Sequence, residues 1–496
     1  MTVLPFKSIL IFLCFSLSIN LHAQTEKLLS VKQMKKDFDE MLEVVEAHPD
    51  PFTHISEKEF IKKFNENKNS LNQPLSTLDY YKKVASMIAL IRDGHSSVRM
   101  PMGWMEKQRK ENGVFPLTFH LSTKDELFVL KNYNDSDIPM GAQITKINDM
   151  SIPDFLNAID PYVSHEIKSF RNTIIDDNIE FYLYLVFGQS KSTSLEYTTG
   201  KSETVTINNM PLKDWKRVYK DGREEREAAM EKGEPYAYEK ISEGTGILKI
   251  YSFSVPDLDD YERFLWKTFK SIQKDSIHSL IIDVRGNYGG WPRVASELFH
   301  YITDKPFKTV AARSLKVSKA YREYYYERYP QLRHGNYTFR SQLHQIDLDA
   351  VMRDQIGTYK TKTTEQNELP KTRKFEFKGD LYLLTNRDSY SAASSFASTF
   401  QCYQLGTIIG AETGGTKIFR ASAMHKKLTR SAIWVSMSTT KVLCACFNEE
   451  FKGVTPTLEY IPSINEMVSD MDTHLLFTQR IIKKMQKKKA AIKERG

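Results

Sequence analysis

Residues 380–401, DLYLLTNRDSYSAASSFASTFQ, decide how the rest of the chain is interpreted. An apolar run at 381–384 is followed by a polar turn. Apolar side chains then recur at helical spacing, at Ala392, Phe396, Ala397 and Phe400. This pattern predicts a strand, a sharp turn and a helix, with Ser391 at the start of the helix.

A serine at the start of a helix has two common roles. The hydroxyl of Ser389 or Ser391 can cap the helix, which is the commoner role for serine at this position. Alternatively, Ser391 is a nucleophile, because the positive end of the helix dipole favours an alkoxide and an oxyanion bonded to it. The N–H of Ala392 can also donate to that oxyanion. This segment alone leaves both roles open.

Two further segments favour the nucleophile. Residues 280–290, LIIDVRGNYGG, read as a buried strand that opens onto a glycine-rich loop. Glycines let backbone N–H groups approach a ligand closely, as an oxyanion hole requires. Residues 91–98, IRDGHSSV, place His95 on a turn far upstream. A base that is distant in sequence and near in space is normal for a nucleophile–base pair.

These segments resemble the serine peptidase family that includes the C-terminal processing peptidases and the tricorn core protease. The resemblance extends over residues 30–465, and its matching segments are 93–96 (DGHS), 283–290 (DVRGNYGG), 391–393 (SAA), 410–416 (GAETGGT) and 450–456 (EFKGVTP). It implies an α/β fold with a crotonase/ClpP-like peptidase core, and a peptide or unfolded protein as substrate.

The family uses two catalytic arrangements. The processing peptidases pair the serine with a lysine in a Gly-Glu-x-x-Gly-Lys segment. Here residues 412–417 read ETGGTK, so Lys417 is one residue late, and a one-residue slip in a strand turns a side chain to the opposite face. The tricorn-like branch uses serine, histidine and a late glutamate. Resemblance to that branch implies Ser391 as nucleophile, His95 as general base and Glu450 as the group that orients the imidazole.

Alternatives remain open for several of these roles. Glu449 is the rival of Glu450, and Lys417 is the alternative base of a Ser–Lys peptidase. The resemblance implies that backbone N–H groups of Gly289 or Gly290, together with that of Ala392, form the oxyanion hole. Each such donor is typically worth about 3–4 kcal/mol.

Two departures from the family pattern keep another class of function open. Ser394 stands where the processing branch often has a glutamate, and Gly94 stands where tricorn-like members have a serine that joins the relay. Ser96 is the nearest substitute for that serine. The second hypothesis is therefore a non-catalytic protein that binds a ligand or peptide on the same scaffold.

The N-terminus indicates export. Lys7 precedes an apolar run at 9–19, and Leu-His-Ala at 21–23 precedes Gln24. This predicts a signal peptide over 1–23 and not a membrane helix, because the apolar run is shorter than the roughly 20 residues that a membrane span requires. No later stretch reaches that length. We expect an exported protein, periplasmic or secreted, without a membrane span.

Composition and charge limit the number of domains and the classes of partner that we expect. A chain of 496 residues with 41% hydrophobic content is long enough for two or three domains. A net charge of +8 is mild, and the basic tail reads as a solvated helix end, so we predict no nucleic-acid partner. His165-Glu166 lacks a second histidine at the metalloprotease spacing, and we predict neither a metal nor another cofactor. Of the four cysteines, Cys14 would be removed with the signal peptide, and the remaining Cys402, Cys444 and Cys446 are an odd, sparse set that argues against a disulfide framework. The oligomeric state is left undetermined.

The chain divides into successive regions of different character. Helical spacing of apolar residues marks the N-terminal part, and residues 127–148 resemble the strand–turn–strand of a PDZ-like domain. A tyrosine-rich stretch in the core is interpreted as packing. The predicted regions are the signal peptide 1–23, a helical region 24–110 carrying the His95 turn, a β-rich PDZ-like domain 111–210, a charged linker 211–245, a peptidase core 246–465 with an insertion 304–375, and a basic C-terminal helix or tail 466–496.

Overall fold

The computed structural model describes residues 28–134, 136–221, 225–334, 345–364, 370–371, 373–448 and 451–493. The predicted signal peptide and the two rival glutamates, Glu449 and Glu450, lie outside these residues. The described residues form four sheets with helices between and around them. The α/β class is therefore confirmed.

The N-terminal region is mainly helical. Ser30 begins the first helix through a capping box with Gln33. The apolar residues at helical spacing, Met34, Phe38 and Met41, are fully buried. The elements are α1 (Val31–Val45), α2 (Glu57–Ser70), α3 (Thr77–Ala89), β1 (Ser97–Arg99) and α4 (Trp104–Asn112).

The next region combines an antiparallel sheet with three helices. Its strand order is β2-β3-β4-β6-β7, and β5 pairs with β4. Buried and less buried residues alternate along β2 and β6, as expected for strands with one face against the core. The elements are β2 (Leu117–Leu121), β3 (Leu127–Asn132), β4 (Gln143–Ile147), β5 (Met150–Ser151), α5 (Ile152–Ile159), α6 (Lys168–Asp177), α7 (Ile179–Phe187), β6 (Ser192–Thr198) and β7 (Ser202–Asn208).

Residues 211–245, predicted as a charged linker, contain regular structure. They form α8 (Leu212–Asp221), α9 (Glu225–Glu231) and β8 (Tyr236–Ser242), and β8 pairs antiparallel with β9 (Thr245–Ile250). The six-stranded sheet that contains β8 and β9, called the main sheet below, therefore begins before residue 246. A strand at a sheet edge needs only one buried face, which explains why its charged sequence resembles a linker.

The remaining elements form the main sheet and two smaller sheets. In chain order they are α10 (Leu258–Lys274), β10 (Ser279–Asp283), α11 (Pro292–Ile302), β11 (Val310–Lys316), α12 (Lys319–Arg328), α13 (Gln345–Arg353), β12 (Tyr359–Thr363), β13 (Asp380–Thr385), α14 (Ala392–Cys402), β14 (Thr407–Gly410), β15 (Ile418–Ala421), β16 (Met424–Lys427), β17 (Trp434–Met437), β18 (Thr440–Cys444), β19 (Leu458–Glu459), α15 (Ile464–Met467) and α16 (Thr473–Lys493).

The main sheet has the order β19-β14-β13-β10-β9-β8 and is parallel except at β8. Every residue of β10 is buried, as expected for a parallel strand covered on both faces. On one face, Leu280 and Ile282 belong to the core that α10, α11 and α14 share. On the other face, Ile281 packs in a cluster with Ile482 of α16. Because β10 and β13 pair in parallel, their carboxyl ends lie side by side at one edge of the sheet.

The insertion extends a second sheet, of order β12-β11-β18-β15. Tyr321 and Tyr325 of α12 are buried in the large N-terminal core. Their burial agrees with the interpretation of the tyrosine-rich helix as packing.

A third sheet joins the N-terminal region to the C-terminal half of the chain. In it β1 pairs antiparallel with β17, with Ser97 opposite Ser436 and Val98 opposite Val435. This pairing fixes the turn that immediately precedes β1, which carries His95.

The cysteines differ from the expectation. Cys402 and Cys446 form a disulfide, and Cys444 is a buried free thiol. Cys402 ends α14 and Cys446 follows β18, so the fold brings together two cysteines that are 44 residues apart. A sparse cysteine count therefore did not exclude a single bridge.

The C-terminal helix α16, expected from its basic composition to be solvated, has one buried face. Apolar residues of α16 recur at helical spacing and cover one face of the main sheet, while its lysines lie on the exposed side. Among the described residues, no helix combines the length and apolar character needed to cross a membrane.

We predict that α16 stabilises the fold through this buried face. Ile482 is 1% exposed, so Ile482→Ala should lower the free energy of unfolding by about 2–5 kcal/mol. Ile492, on the same helix, is 62% exposed, so Ile492→Ala should change it by at most about 0.5 kcal/mol. Urea unfolding of both variants measures the difference, and equal effects would contradict the packing of α16 on the sheet.

Candidate active site

Ser391 lies on a strained turn between β13 and α14. Its φ is 54° and its ψ is −117°, a conformation that costs a non-glycine residue on the order of 1–3 kcal/mol. Its side chain makes no capping hydrogen bond. The hydroxyl of Ser389 donates to the carbonyl of Val284 at 2.8 Å. Neither serine therefore caps α14, and the Ser391 hydroxyl remains free for another partner.

That partner is His95. Nε2 of His95 lies 3.0 Å from Oγ of Ser391, although the two residues are 296 positions apart. The turn is held by the backbone N–H of His95, which donates to Oδ1 of Asp93 at 3.0 Å. The structure therefore brings together the two residues that the sequence predicts as base and nucleophile.

Burial controls the protonation of this turn. Burial lowers the pKa of His95, while the negative charge of Asp93 opposes that shift. Burial alone would raise the pKa of Asp93, but its interactions with His48, the charge of His95 and the bond from Ser96 hold that pKa well below the usual range. His95 is thus mainly neutral at pH 7, and Asp93 carries a permanent negative charge beside it.

The other ring nitrogen of His95 faces a tyrosine. Oη of Tyr390 lies 2.8 Å from Nδ1, whereas the nearer oxygen of Asp93 lies 3.9 Å away. The ring of Tyr390 stacks on Phe170 of α6, with 3.8 Å between the ring centroids and an interplanar angle of 3°. The sequence does not identify Tyr390 as a site residue, because a tyrosine beside a serine carries no recognisable pattern.

Behind Tyr390 lies Glu166. Burial first, and the charge of Asp93 second, raise the pKa of Glu166 to about 8. A Cβ atom on Gly94 would lie 2.5 Å from Oη of Tyr390 and 2.7 Å from Oε2 of Glu166, so these groups crowd around the glycine of the His95 turn. The only sequence signal for Glu166 is its neighbour His165, and the His165-Glu166 pair lacks the second histidine of a metalloprotease motif.

Asp93, His95 and Glu166 also form a group of metal-ligand type. One ligand atom from each lies within 4.8 Å of the others. However, Nε2 of His95 faces Ser391, and Asp93 accepts bonds from the His95 N–H and the Ser96 hydroxyl. We therefore interpret the group as an electrostatic cluster around the imidazole.

The glycine loop lies directly against Ser391. A Cβ atom on Gly289 would be 2.7 Å from Cβ of Ser391 and 2.8 Å from N of Ala392. The N–H of Gly289 already donates to Oδ1 of Asn287 at 2.8 Å. The N–H groups of Gly290 and Ala392 have no acceptor among the described residues. These two groups are therefore better suited to bind an oxyanion than the N–H of Gly289.

Lys417 is not brought to Ser391. Its Nζ donates to Oε1 of Gln401 at 2.8 Å. Gln401 lies near the C-terminal end of α14, and ten residues of helix rise correspond to about 15 Å from Ser391. This arrangement disfavours a Ser–Lys dyad.

Ser394, which departs from the family pattern, and Ser96, the nearest substitute for the serine that Gly94 replaces, have local roles. The hydroxyl of Ser394 donates to the carbonyl of Ser391 at 2.8 Å, within the first turn of α14. The hydroxyl of Ser96 donates to Asp93 and accepts from the N–H of Ser438 at 3.1 Å. Ser96 thus contacts Asp93 and not the imidazole.

Glu449 and Glu450 lie outside the described residues. The segment that follows them is fixed to residue 412, since the N–H of Gly453 donates to Oε1 of Glu412 at 2.7 Å. The role of the late glutamate therefore stays a prediction.

The β-rich region is bonded to the turn that carries Ser391. The Arg387 guanidinium donates to the carbonyl of Leu121 at 2.6 Å, and the hydroxyl of Thr173 donates to Oδ1 of Asp388 at 2.6 Å. The turn that carries Ser391 is therefore held by residues from outside the main sheet.

Comparison with known proteins gives one match of sequence and several of structure. Residues 244–460 match Peptidase family S41. Comparison with curated proteins finds no match for the chain.

The structure is similar to that of mature CPAF, with a TM-score of 0.59 and 14% identity over 88% of this chain and 94% of that chain. Mature CPAF complexed with lactacystin gives the same score and identity over 88% and 95%. A photosystem II D1 C-terminal processing protease has a TM-score of 0.42 and 12% identity over 88% and 98%, too low a score to support an argument. At such identities, the similarity to CPAF shows the fold alone.

We predict that close approach of the glycine loop is necessary for reactivity of Ser391. Gly289→Ala should reduce labelling of Ser391 by a fluorophosphonate at least tenfold, about 1.4 kcal/mol, because the added methyl group would displace Ser391 or Ala392. Gly200→Ala is the control: its φ of +119° resembles the +102° of Gly289, but nothing lies within 4 Å of the added atom. Equal labelling of the two variants would show that the contact is unimportant.

Proposed function

This chain is a serine-type peptidase with a family S41 domain in residues 244–460, and we propose that Ser391 and His95 carry out its reaction by an acyl-enzyme mechanism. The observation that supports this assignment is the 3.0 Å contact between Nε2 of His95 and Oγ of Ser391. The substrate class in the proposal is a peptide or unfolded protein.

In the first half of the reaction, Oγ of Ser391 attacks the carbonyl carbon of the substrate and its proton passes to Nε2 of His95. The oxyanion of the tetrahedral intermediate accepts hydrogen bonds from the N–H groups of Gly290 and Ala392. His95 then gives its proton to the leaving amine, and an ester on Ser391 remains.

In the second half, water attacks this ester while His95 accepts the proton of the water. Collapse of the second intermediate releases the acid and returns the proton to Ser391. The lowered pKa of His95 supports this role, because a neutral imidazole is the form that accepts a proton. In the sequence-based form of the mechanism, Glu450 orients the imidazole.

We extend the proposal to the organisation of the chain. The core sheet is assigned a crotonase/ClpP-like arrangement, and residues 111–210 a PDZ-like domain, as the family resemblance implies. Peptide binding by strand addition is supported by β7, an edge strand whose residues 202–204 are exposed.

We also propose that the protein is exported, with residues 1–23 as a signal peptide. The Cys402–Cys446 disulfide supports this, because disulfides persist mainly in oxidising compartments. The chain isolated from its native host should therefore begin at Gln24 when its N-terminus is determined by mass spectrometry. Leu13→Arg, which places a charge in the apolar run, should retain residues 1–23. A native chain that keeps these residues in the cytosol would contradict export.

The catalytic assignment predicts a large difference between site variants. Ser391→Ala and His95→Ala should each lower kcat for peptide hydrolysis to near background, a loss that reaches about 10⁶-fold in comparable enzymes. Ser391→Ala should also abolish labelling by a fluorophosphonate. Lys417→Ala is the control and should change kcat less than about tenfold, because its ammonium binds Gln401 near the opposite end of α14 from Ser391.

Two outcomes would overturn the assignment. A loss in Lys417→Ala as severe as that in Ser391→Ala would move the mechanism to a Ser–Lys dyad. A folded protein that neither hydrolyses peptides nor reacts with the probe would favour the non-catalytic binding protein.

A further inference from the structure

The group in contact with Nδ1 of His95 is a hydroxyl and not a carboxylate. Oη of Tyr390 is 2.8 Å from Nδ1, within hydrogen-bonding distance, whereas 3.9 Å separates Nδ1 from Asp93. A hydroxyl can donate or accept a proton here, so its direction decides which ring nitrogen of His95 carries the hydrogen.

Only one direction suits a general base. For Nε2 to accept the proton of Ser391, the neutral imidazole must carry its hydrogen on Nδ1. Nδ1–H then donates to Oη of Tyr390. The hydrogen of the tyrosine must point to a second acceptor, because otherwise it would compete for Nδ1 and place the imidazole hydrogen on Nε2.

Glu166 is in the right place to be that acceptor. Both of its carboxylate oxygens are buried, and neither makes a well-formed hydrogen bond to the described residues. The hydroxyl of Tyr390 is nevertheless near enough to interact with Glu166, and that interaction contributes to the raised pKa of Tyr390 after burial and the charges of Glu166 and Asp93. Glu166 is a buried carboxylate without a well-formed donor, and the Tyr390 hydroxyl needs an acceptor for its hydrogen when Nδ1–H donates to it, so the two groups are complementary.

We propose that Tyr390 and Glu166 are positioning residues that hold His95 in the tautomer able to accept the proton of Ser391. The chain of contacts runs from Ser391 through His95 and Tyr390 to Glu166. This inference rests on the Ser391–His95 mechanism proposed above.

The packing around the pair restricts its movement. The ring of Tyr390 is held between Phe170, with 3.8 Å between centroids, and the ring of His95, with 4.7 Å. Gly94 provides the space for the hydroxyl and the carboxylate, since a Cβ there would lie within 2.7 Å of both. The same crowding explains why a serine at position 94 does not fit this arrangement.

The relay moves no proton beyond His95. When Ser391 attacks, its proton forms a bond with Nε2 and the imidazole becomes an imidazolium. Tyr390 keeps its own hydrogen, accepts from Nδ1–H, and donates to Glu166. Asp93 supplies negative charge, and Glu166 adds to it only above pH 8, since ligand atoms of both lie within 4.8 Å of His95.

The charge of Glu166 gives the pair a pH signature. Its pKa is raised to about 8 by burial and by Asp93, while the Gly94 N–H and Arg420 act in the opposite direction. A raised carboxyl pKa means that the negative charge appears only as the pH increases through about 8. Burial lowers the pKa of His95 from its ordinary value, so kcat should first increase as His95 loses its proton in the acid range. A second increase should follow near pH 8, as Glu166 becomes charged.

The test compares kcat, KM and the pH profile of Glu166→Gln and Tyr390→Phe. Tyr390→Phe keeps the ring stack and removes the hydroxyl, so kcat should decrease about 10²-fold or more while KM changes less than about threefold. Above pH 8, where the wild-type carboxylate is charged, Glu166→Gln should decrease kcat about tenfold or more, and it should remove the step near pH 8. Tyr80→Phe is the control, because it removes a buried hydroxyl that donates to the carbonyl of Met34 at 2.8 Å, outside the site.

Glu450→Gln separates this inference from the sequence-based role of the late glutamate. The inference is overturned if Glu166→Gln and Tyr390→Phe retain wild-type kcat and pH profile while Ser391→Ala and His95→Ala are inactive. A loss confined to Glu450→Gln would assign the orienting role to that residue. If Ser391→Ala remains active, the proposed mechanism itself fails, and this result is distinct from either of the others. Thermal unfolding of each variant establishes that it is folded.

Discussion

The pairing of β1 with β17 is the constraint on which the site depends. It joins a short strand of the N-terminal helical region to a strand of the peptidase segment, with Ser97 opposite Ser436. His95 lies two residues before Ser97, so this ladder carries the imidazole to within 3.0 Å of Ser391. The β-rich region adds the ring of Phe170 and the carboxylate of Glu166. The site therefore forms only where these three parts of the chain meet, and none of them contains it alone.

The sequence predicts the parts of this site that depend on local patterns. The strand, turn and helix around Ser391 are visible as an apolar run followed by helical spacing, and the buried strand β10 is visible as an unbroken apolar run. The α/β class and a serine-type peptidase, which the family resemblance of the chain implies, are confirmed. The contacts of Tyr390, Glu166 and Lys417 could not be predicted, because each depends on which distant surfaces pack together. Periodicity along one segment contains no information about that packing.

Two carboxylates near His95 show how environment separates chemically similar groups. The charged form of Asp93 is favoured first by its contact with His48, and then by the charge of His95 and the bond from Ser96. The carboxylate oxygens of Glu166 are also buried but have no well-formed donor, and burial followed by the charge of Asp93 raises its pKa to about 8. The difference arises from the groups that surround each carboxylate. Asp93 is thus suited to supply constant charge, and Glu166 to accept a hydrogen bond.

Separating these two tasks offers a physical reason for a tyrosine between the imidazole and a carboxylate. A carboxylate directly on Nδ1 fixes the tautomer and stabilises the imidazolium with the same contact. A neutral hydroxyl fixes only the tautomer, so the charge must come from elsewhere. Asp93 can provide it, since opposite charges 3.9 Å apart interact by on the order of 4 kcal/mol at an effective dielectric constant near 20. Because Asp93 holds the backbone of His95 as well, its charge stays fixed relative to the imidazole throughout the proton transfer.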